Sequence, residues 1–302
     1  MKVGIVDIGS NSLRIFLCSG LSDGQPEGER IATVTALRRG AAADGTVTPE
    51  ALDRLDACLA DYGERLRGFG ADEVVAVGTS AVRDAPNRDE VTARVRARLG
   101  TDLQVLSGPQ EAEMSYVGAR LAVTGDDEIT VMDIGGGSTE LVRGDADGPT
   151  MAVSLDIGSV RCTDARLHTD PPTHAERDGL IGAARDAASD VFTVIGRGRP
   201  MVGVAGTITT LAAIVIGEYD PARVHGAVLT RDVVEGLADR LGDMPLADRR
   251  AVPGLHPDRA PAIVAGACIA VGAMQAAEVD HLTVSERDLL DGVALRLTSL
   301  GG

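Results

Sequence analysis

Residues 3–8, Val-Gly-Ile-Val-Asp-Ile, are apolar at nearly every position and stop at Gly9, the pattern of a buried strand that ends in a turn. Residues 12–20 ("SLRIFLCSG") read as a strand returning beside it, and 29–40 ("ERIATVTALRRG") as a third. The period then changes. Leu52, Leu55, Leu59 and Leu66 lie at helical spacing behind Thr48, a capping residue, and Pro49, a first helical position. Residues 72–80 ("DEVVAVGTS") form another buried strand, Val91, Val95 and Leu99 mark a helix, and 102–107 ("DLQVLS") a further strand. Ser107 and Gln110 fit a capping box that opens a helix over 109–122.

The plan then restarts. Residues 127–138 ("DEITVMDIGGGS") are strand and turn, 139–144 ("TELVRG") a returning strand, and 150–159 ("TMAVSLDIGS") a third. The remainder reads as mostly helical, with 200–206 ("PMVGVAG") as one more strand. The phrase "DIGSNS" at 7–12 and "DIGGGS" at 133–138 each follow a strand and precede a returning one. The repetition predicts an α/β chain of two lobes, 1–124 and 125–302, with the last helix able to pack back on the first lobe. The two turns are then expected to face each other across an interdomain cleft. A coincidental pair of Asp-x-Gly turns in unrelated α/β domains is the alternative.

Composition narrows the function. Net charge is −16, from 45 acidic and 29 basic residues, which argues against nucleic-acid binding and against docking on anionic membranes. A polyanionic ligand therefore needs local help from a metal ion, backbone N–H groups or placed arginines; Lys2 is the only lysine. Aromatics are 2% with no tryptophan, so the cores rest on Ala, Val, Leu and Ile. Cys18, Cys58, Cys162 and Cys268 lack metal-binding spacing and are expected as buried, reduced thiols. Residues 260–277, apolar but short for a membrane span, are expected as a buried helix. With no signal-peptide pattern, the protein is expected in the cytoplasm.

The chemistry concentrates in a few segments. Three consecutive glycines at 135–137 let the backbone present its N–H groups to an anion without Cβ interference. Asp133, at the end of a buried strand, needs a pairing or a cation. Together with Ser138 these suggest phosphate and Mg²⁺ side by side; a plain glycine-rich turn is the alternative. Arg14 is expected as a structural partner of Asp7. Arg83 suits bidentate phosphate contact, or else a surface bridge to Asp84. On the 109–122 helix, Glu111 shares a face with Met114, Ser115, Gly118 and Ala122, whereas Glu113 and Arg120 point the other way. Glu111 is thus the candidate general base for water, and Glu113 a solvated partner of the helix dipole. The helix after Gly206 and Thr207 presents N–H groups to an anion, or is simply a capped core helix. Arg259 stands near the start of the 260–277 helix. No Walker A, H-E-x-x-H or G-x-S-x-G sequence is present.

At "DIGSNSLR", "GTSAVRDAPN", "SGPQEA", "DIGGGSTEL", "SLDIGSVR", "GVAGTITTLAA", "LHPDRAPAIVAGA" and "SERDLLDG" the chain resembles the exopolyphosphatase / guanosine pentaphosphate phosphohydrolase family of the actin–sugar kinase–Hsp70 superfamily. The resemblance implies actin-like (ribonuclease H-like) lobes and Mg²⁺-assisted hydrolysis of a terminal phosphate, with Mn²⁺ or a monovalent cation as further candidates. It implies Glu111 as catalytic base and Asp133 and Glu140 as metal carboxylates. Asn11, Arg83 and the 135–138 turn (Gly135, Gly136, Gly137, Ser138) would hold phosphates, as would Gly206 and Thr207. The expected partner is inorganic polyphosphate, with pppGpp or ppGpp as the alternative, and the expected assembly a homodimer. Longer family members continue into helical domains, so a preference for short chains is expected here. A sugar-kinase-like enzyme and a non-catalytic alarmone or polyphosphate sensor are the rival classes.

Overall fold

The computed structural model describes residues 1–41, 45–125 and 127–300. The chain divides into two compact units, Met1–Met114 with Leu289–Gly302, and Ser115–Asp288. The division falls within a helix at 114/115, where the sequence expectation placed it at 124/125.

In the first unit β1 (Val3–Ile8), β2 (Ser12–Ser22) and β3 (Gln25–Val34) run as an antiparallel meander. After α1 (Pro49–Phe69), β4 (Glu73–Gly78) joins β1 in parallel; after α2 (Ser80–Arg83) and α3 (Arg88–Leu99), β5 (Leu103–Val105) joins β4 in parallel. The sheet order is β3-β2-β1-β4-β5. Thr48 accepts a bond from the Ala51 N–H at 3.3 Å and starts α1 as expected. Leu52, Leu55, Leu59 and Leu66 bury against Val6, Ile8 and Leu13 on one sheet face. The other face, with Val3, Ile5 and Phe16, is covered by Leu289, Leu290 and Val293 of the C-terminal helix. α4 (Gly108–Arg120) carries the chain into the second unit.

There β6 (Ile129–Ile134), β7 (Thr139–Asp145) and β8 (Gly148–Leu155) repeat the meander. α5 (Ser159–Arg166) and α6 (His174–Ile195) follow, and β9 (Met201–Val204) joins β6 in parallel. Then come α7 (Ala205–Ile216), α8 (Pro221–Val224), β10 (Val228–Thr230), α9 (Arg231–Gly242), α10 (Leu246–Arg249), a 3₁₀ turn at Pro257–Arg259 and α11 (Ile263–Ala277). β11 (His281–Val284) lies parallel to β9 and antiparallel to β10, and α12 (Leu289–Leu300) returns to the first unit. The order β10-β11-β9-β6-β7-β8 reproduces the first sheet, in the same sense, with β10 added at the edge. Shared order and direction make the restart a repeated fold rather than two similar turns.

The sequence reading of this region as helical apart from β9 is corrected by β10 and β11. With three and four residues, they are too short for alternation to register. The 260–277 stretch is buried along α11, and among the described residues no helix is long and apolar enough to cross a membrane. All four cysteines are free and buried; burial pushes the Cys268 thiol up to about 12.

Candidate active site

Within the first unit the predicted residues gather where β1, β4 and β5 end. Ile8 and Gly78 are register partners, as are Gly78 and Val105, so the segments leaving these strands are neighbours. The first turn closes with the Gly9 N–H donating to the Ser12 carbonyl at 3.1 Å. Ser10 Oγ and Ser80 Oγ lie 3.2 Å apart, and the Asn11 carbonyl accepts from the Ala36 N–H at 2.8 Å. Asp7, one residue before the end of β1, is buried and faces Arg14 in the register; the pair closes at 2.7 Å, the structural partnership expected.

Ser107 and Gln110 form the expected box. The Gln110 side chain accepts from the Ser107 N–H at 2.9 Å, and Ser107 Oγ accepts from the Gln110 N–H at 3.4 Å. That start fixes the helix phase, and Glu111 is buried while Glu113 is exposed. Arg83 Nη1 donates to Glu111 Oε2 and to the Leu106 carbonyl, both at 3.0 Å. Its contact with Asp84 is longer, 3.7 Å. Arg83 is therefore brought to Glu111, a pairing the spacing of 28 residues gave no way to see. The planar fork of Arg83 carries five donors in all.

In the second unit β6 and β9 end together, with Asp133 opposite Val204. The 135–138 turn closes like the first, Gly135 N–H to Ser138 carbonyl at 3.0 Å. Its carbonyls face the start of α5. The Gly135 carbonyl accepts from the Ser159 N–H at 2.9 Å, and the Gly136 carbonyl from the N–H groups of Val160 and Arg161 at 2.9 and 3.0 Å. In a trans peptide the N–H points opposite to the preceding C=O, so the N–H groups of Gly136 and Gly137 are turned away from α5. Gly158 must be glycine for this packing: a Cβ there would lie 2.4 Å from the Gly137 carbonyl carbon.

Asp133 and Glu140 are directly opposed across β6 and β7 and both buried, at 7% and 1% exposure. Opposed residues share a sheet face with Cα atoms about 4.5–5.5 Å apart, and like charges there are unfavourable. Each carboxyl group accepts a hydroxyl: the buried Ser115 Oγ donates to Asp133 Oδ2 at 2.6 Å and the half-buried Ser154 Oγ to Glu140 Oε1 at 2.7 Å. Neither serine was foreseen as a partner, although Ser115 sits on the helix face assigned to Glu111. Among the described residues no group of three or more His, Cys, Asp or Glu side chains could hold a metal. A carboxylate pair still suits a hard divalent cation such as Mg²⁺, which keeps most of its shell as water and phosphate oxygens.

The β9–α7 junction, which carries Gly206 and Thr207, begins just past Val204, the register partner of Asp133. Ala205 adopts φ 65, costly for a residue with a Cβ, and starts the helix abruptly. Arg259 Nη1 donates to the Gly206 carbonyl at 2.6 Å, and a Cβ on Gly206 would lie 2.0 Å from that nitrogen. The Thr207 side chain packs at Gly266 of α11, so what Thr207 can offer a ligand is its backbone N–H. Arg259, foreseen only as lying near a helix start, is the residue that seats this turn.

Residues 29–300 match the Ppx/GppA phosphatase family. Exopolyphosphatase 2 of Mycobacterium tuberculosis is 37% identical, over 98% of this chain and 98% of its own length. The guanosine-5'-triphosphate,3'-diphosphate pyrophosphatase of Photobacterium profundum is 26% identical, over 97% of this chain and 59% of its own. The crystal structure of the Aquifex aeolicus Ppx/GppA family member superposes with a TM-score of 0.83 at 30% identity, over 100% of this chain and 99% of that one.

Proposed function

The chain belongs to the Ppx/GppA phosphatase family, and we propose that it is an exopolyphosphatase, releasing terminal orthophosphate from inorganic polyphosphate by attack of water, with short chains preferred. The observation that carries the reading is the pairing of a glycine turn, its N–H groups turned outward, with two opposed buried carboxylates seven residues apart in one hairpin. Phosphoanhydride hydrolysis asks for donors on the phosphate oxygens and charge neutralisation at the scissile bond.

In this reading the N–H groups of the 135–138 turn and of Gly206 and Thr207 receive phosphate oxygens, with Asn11 and the Arg83 fork as side-chain donors. Asp133 and Glu140, held by Ser115 and Ser154, would hold Mg²⁺, and the bound ion would supply charge neutralisation on the phosphate oxygens. Glu111 takes the proton of the attacking water as the new P–O bond forms. Arg83 orients Glu111 through their 3.0 Å contact until then. The shortened chain departs with the electron pair of the cleaved bridging P–O bond, and the terminal phosphorus leaves as orthophosphate.

Chain length follows from charge. Many surface guanidiniums are matched to carboxylates, such as Arg65–Asp61, Arg96–Asp102, Arg98–Asp56, Arg197–Glu278 and Arg223–Glu218. Such pairs add little stability, but each cancels a charge that a long polyanion would need. The test is phosphate release from polyphosphates of defined length and from pppGpp, with and without Mg²⁺. Mg²⁺-dependent release that falls with chain length, ahead of pppGpp, is expected. No release from any polyphosphate, or full activity in excess chelator, would refute the reading.

A further inference from the structure

We propose that Arg161 is a positioning residue for phosphate binding: its side chain fixes the last peptide of the 135–138 turn so that the Ser138 N–H points to the substrate. The inference rests on the phosphate-binding role given to that turn. The three peptides leaving Gly135, Gly136 and Gly137 are held in different ways. The Gly135 carbonyl takes two donors, the N–H and the hydroxyl of Ser159, at 2.9 and 3.2 Å. The Gly136 carbonyl also takes two, both backbone N–H groups from the first turn of α5. The Gly137 carbonyl receives Arg161 Nε at 2.7 Å, a side-chain donor carrying a charge.

That difference matters because glycine makes a peptide flip inexpensive. Gly137 has no Cβ to restrict ψ, and rotation of the Gly137–Ser138 peptide would turn the Ser138 N–H away from the phosphate without moving its neighbours far. The Nε bond opposes that rotation. Arg161 Nη2 also lies 3.8 Å from Oδ1 of the exposed Asp156, a pair that adds little. Arg161 thereby acts through the backbone, from behind the turn, and its own contact with substrate is not required.

The isosteric series separates this from other roles. In Arg161→Gln, Nε2 stands at the place of Arg Nε and can still donate to the Gly137 carbonyl, without charge. In Arg161→Met the chain length is kept and the donor is lost. Binding of tripolyphosphate by calorimetry, KM, kcat and amide hydrogen exchange at Ser138 in the ligand-free protein are the readouts. Expected for the Met variant are affinity and KM weakened together by roughly 10–100-fold, a smaller change in kcat, and altered Ser138 exchange. The Gln variant is expected to keep near-normal affinity and exchange.

Equal losses in the Gln and Met variants would mean that the charge acts on substrate directly, and would overturn the positioning role. A lower melting temperature with unchanged affinity and exchange in the Met variant would overturn it too. If the Met variant does not fold, the Gln variant alone decides, since a direct charge role requires it to be weakened tenfold or more. Should the wild type fail to bind tripolyphosphate, the functional reading fails, and Ser138 exchange in the two variants still judges Arg161.

Discussion

The hairpin of β1 and β2 and the hairpin of β6 and β7 start from one phrase and arrive at different chemistry. Both place an aspartate one residue before the strand end, both close the turn with the same backbone bond, and both set opposite the aspartate the residue seven positions on. In the first that residue is Arg14, and Asp7 is neutralised within the protein at 2.7 Å. In the second it is Glu140, and a second carboxyl group is buried beside Asp133. One register position thus separates a structural ion pair from a pair of carboxylates that a cation would relieve. The turns diverge in step: Ser10 and Asn11 carry side-chain polar groups where Gly136 and Gly137 carry only backbone.

The largest effect expected lies outside either hairpin, at the proposed base. Glu111→Gln should lower turnover by roughly 10²–10⁴ with chain binding retained, while Glu113→Gln, on the exposed side of α4, changes little. Near-normal phosphate release by the Glu111 variant would remove Glu111 from the proposed mechanism.

Next in size is a stability effect confined to the first hairpin. Asp7→Asn leaves the guanidinium of Arg14 half-buried without its counter-charge, and is expected to cost about 1–3 kcal/mol, read as a shifted midpoint in urea. A variant as stable as the wild type would show that the Asp7–Arg14 pair holds nothing together.

The smallest effect is a control, a carboxylate held by neutral donors alone. Glu176, in the capping box that starts α6, is held down to about 2 by the Thr169 hydroxyl foremost, then by the His168 and Thr173 N–H groups. A folded-state value below the unfolded one means that stabilisation is full above the ordinary glutamate range and is lost as pH falls through about 2. The melting difference between wild type and Glu176→Gln should therefore be constant near neutrality, shrink below about pH 4 and vanish near pH 2. A difference that grew on acidification would contradict the hydrogen-bonding account.

Much of this was legible in the residues. Apolar runs marked β1, β4, β6 and β9 because strands buried on both faces admit little else, and the Leu52–Leu55–Leu59–Leu66 spacing marked α1. The phase of α4 could be read because its capping box fixed where the helix began, which placed Glu111 inward and Glu113 outward. Contacts made across the fold were not legible. Arg83 reaching Glu111, Ser115 reaching Asp133 and Arg259 reaching Gly206 depend on which strand ends lie side by side, and local spacing carries no record of that. β10 and β11 escaped for a simpler reason: three or four residues hold too little pattern.

The contrast between the hairpins is the centre of the account, and divalent-cation binding tests it most directly. Mg²⁺ should be titrated by calorimetry into wild type, Asp7→Asn and Asp133→Asn, each with tripolyphosphate present and under conditions where all three are folded. Equal affinity is expected for wild type and Asp7→Asn, and binding weakened at least tenfold in Asp133→Asn. Wild-type affinity in Asp133→Asn, or its loss in Asp7→Asn, would contradict that contrast.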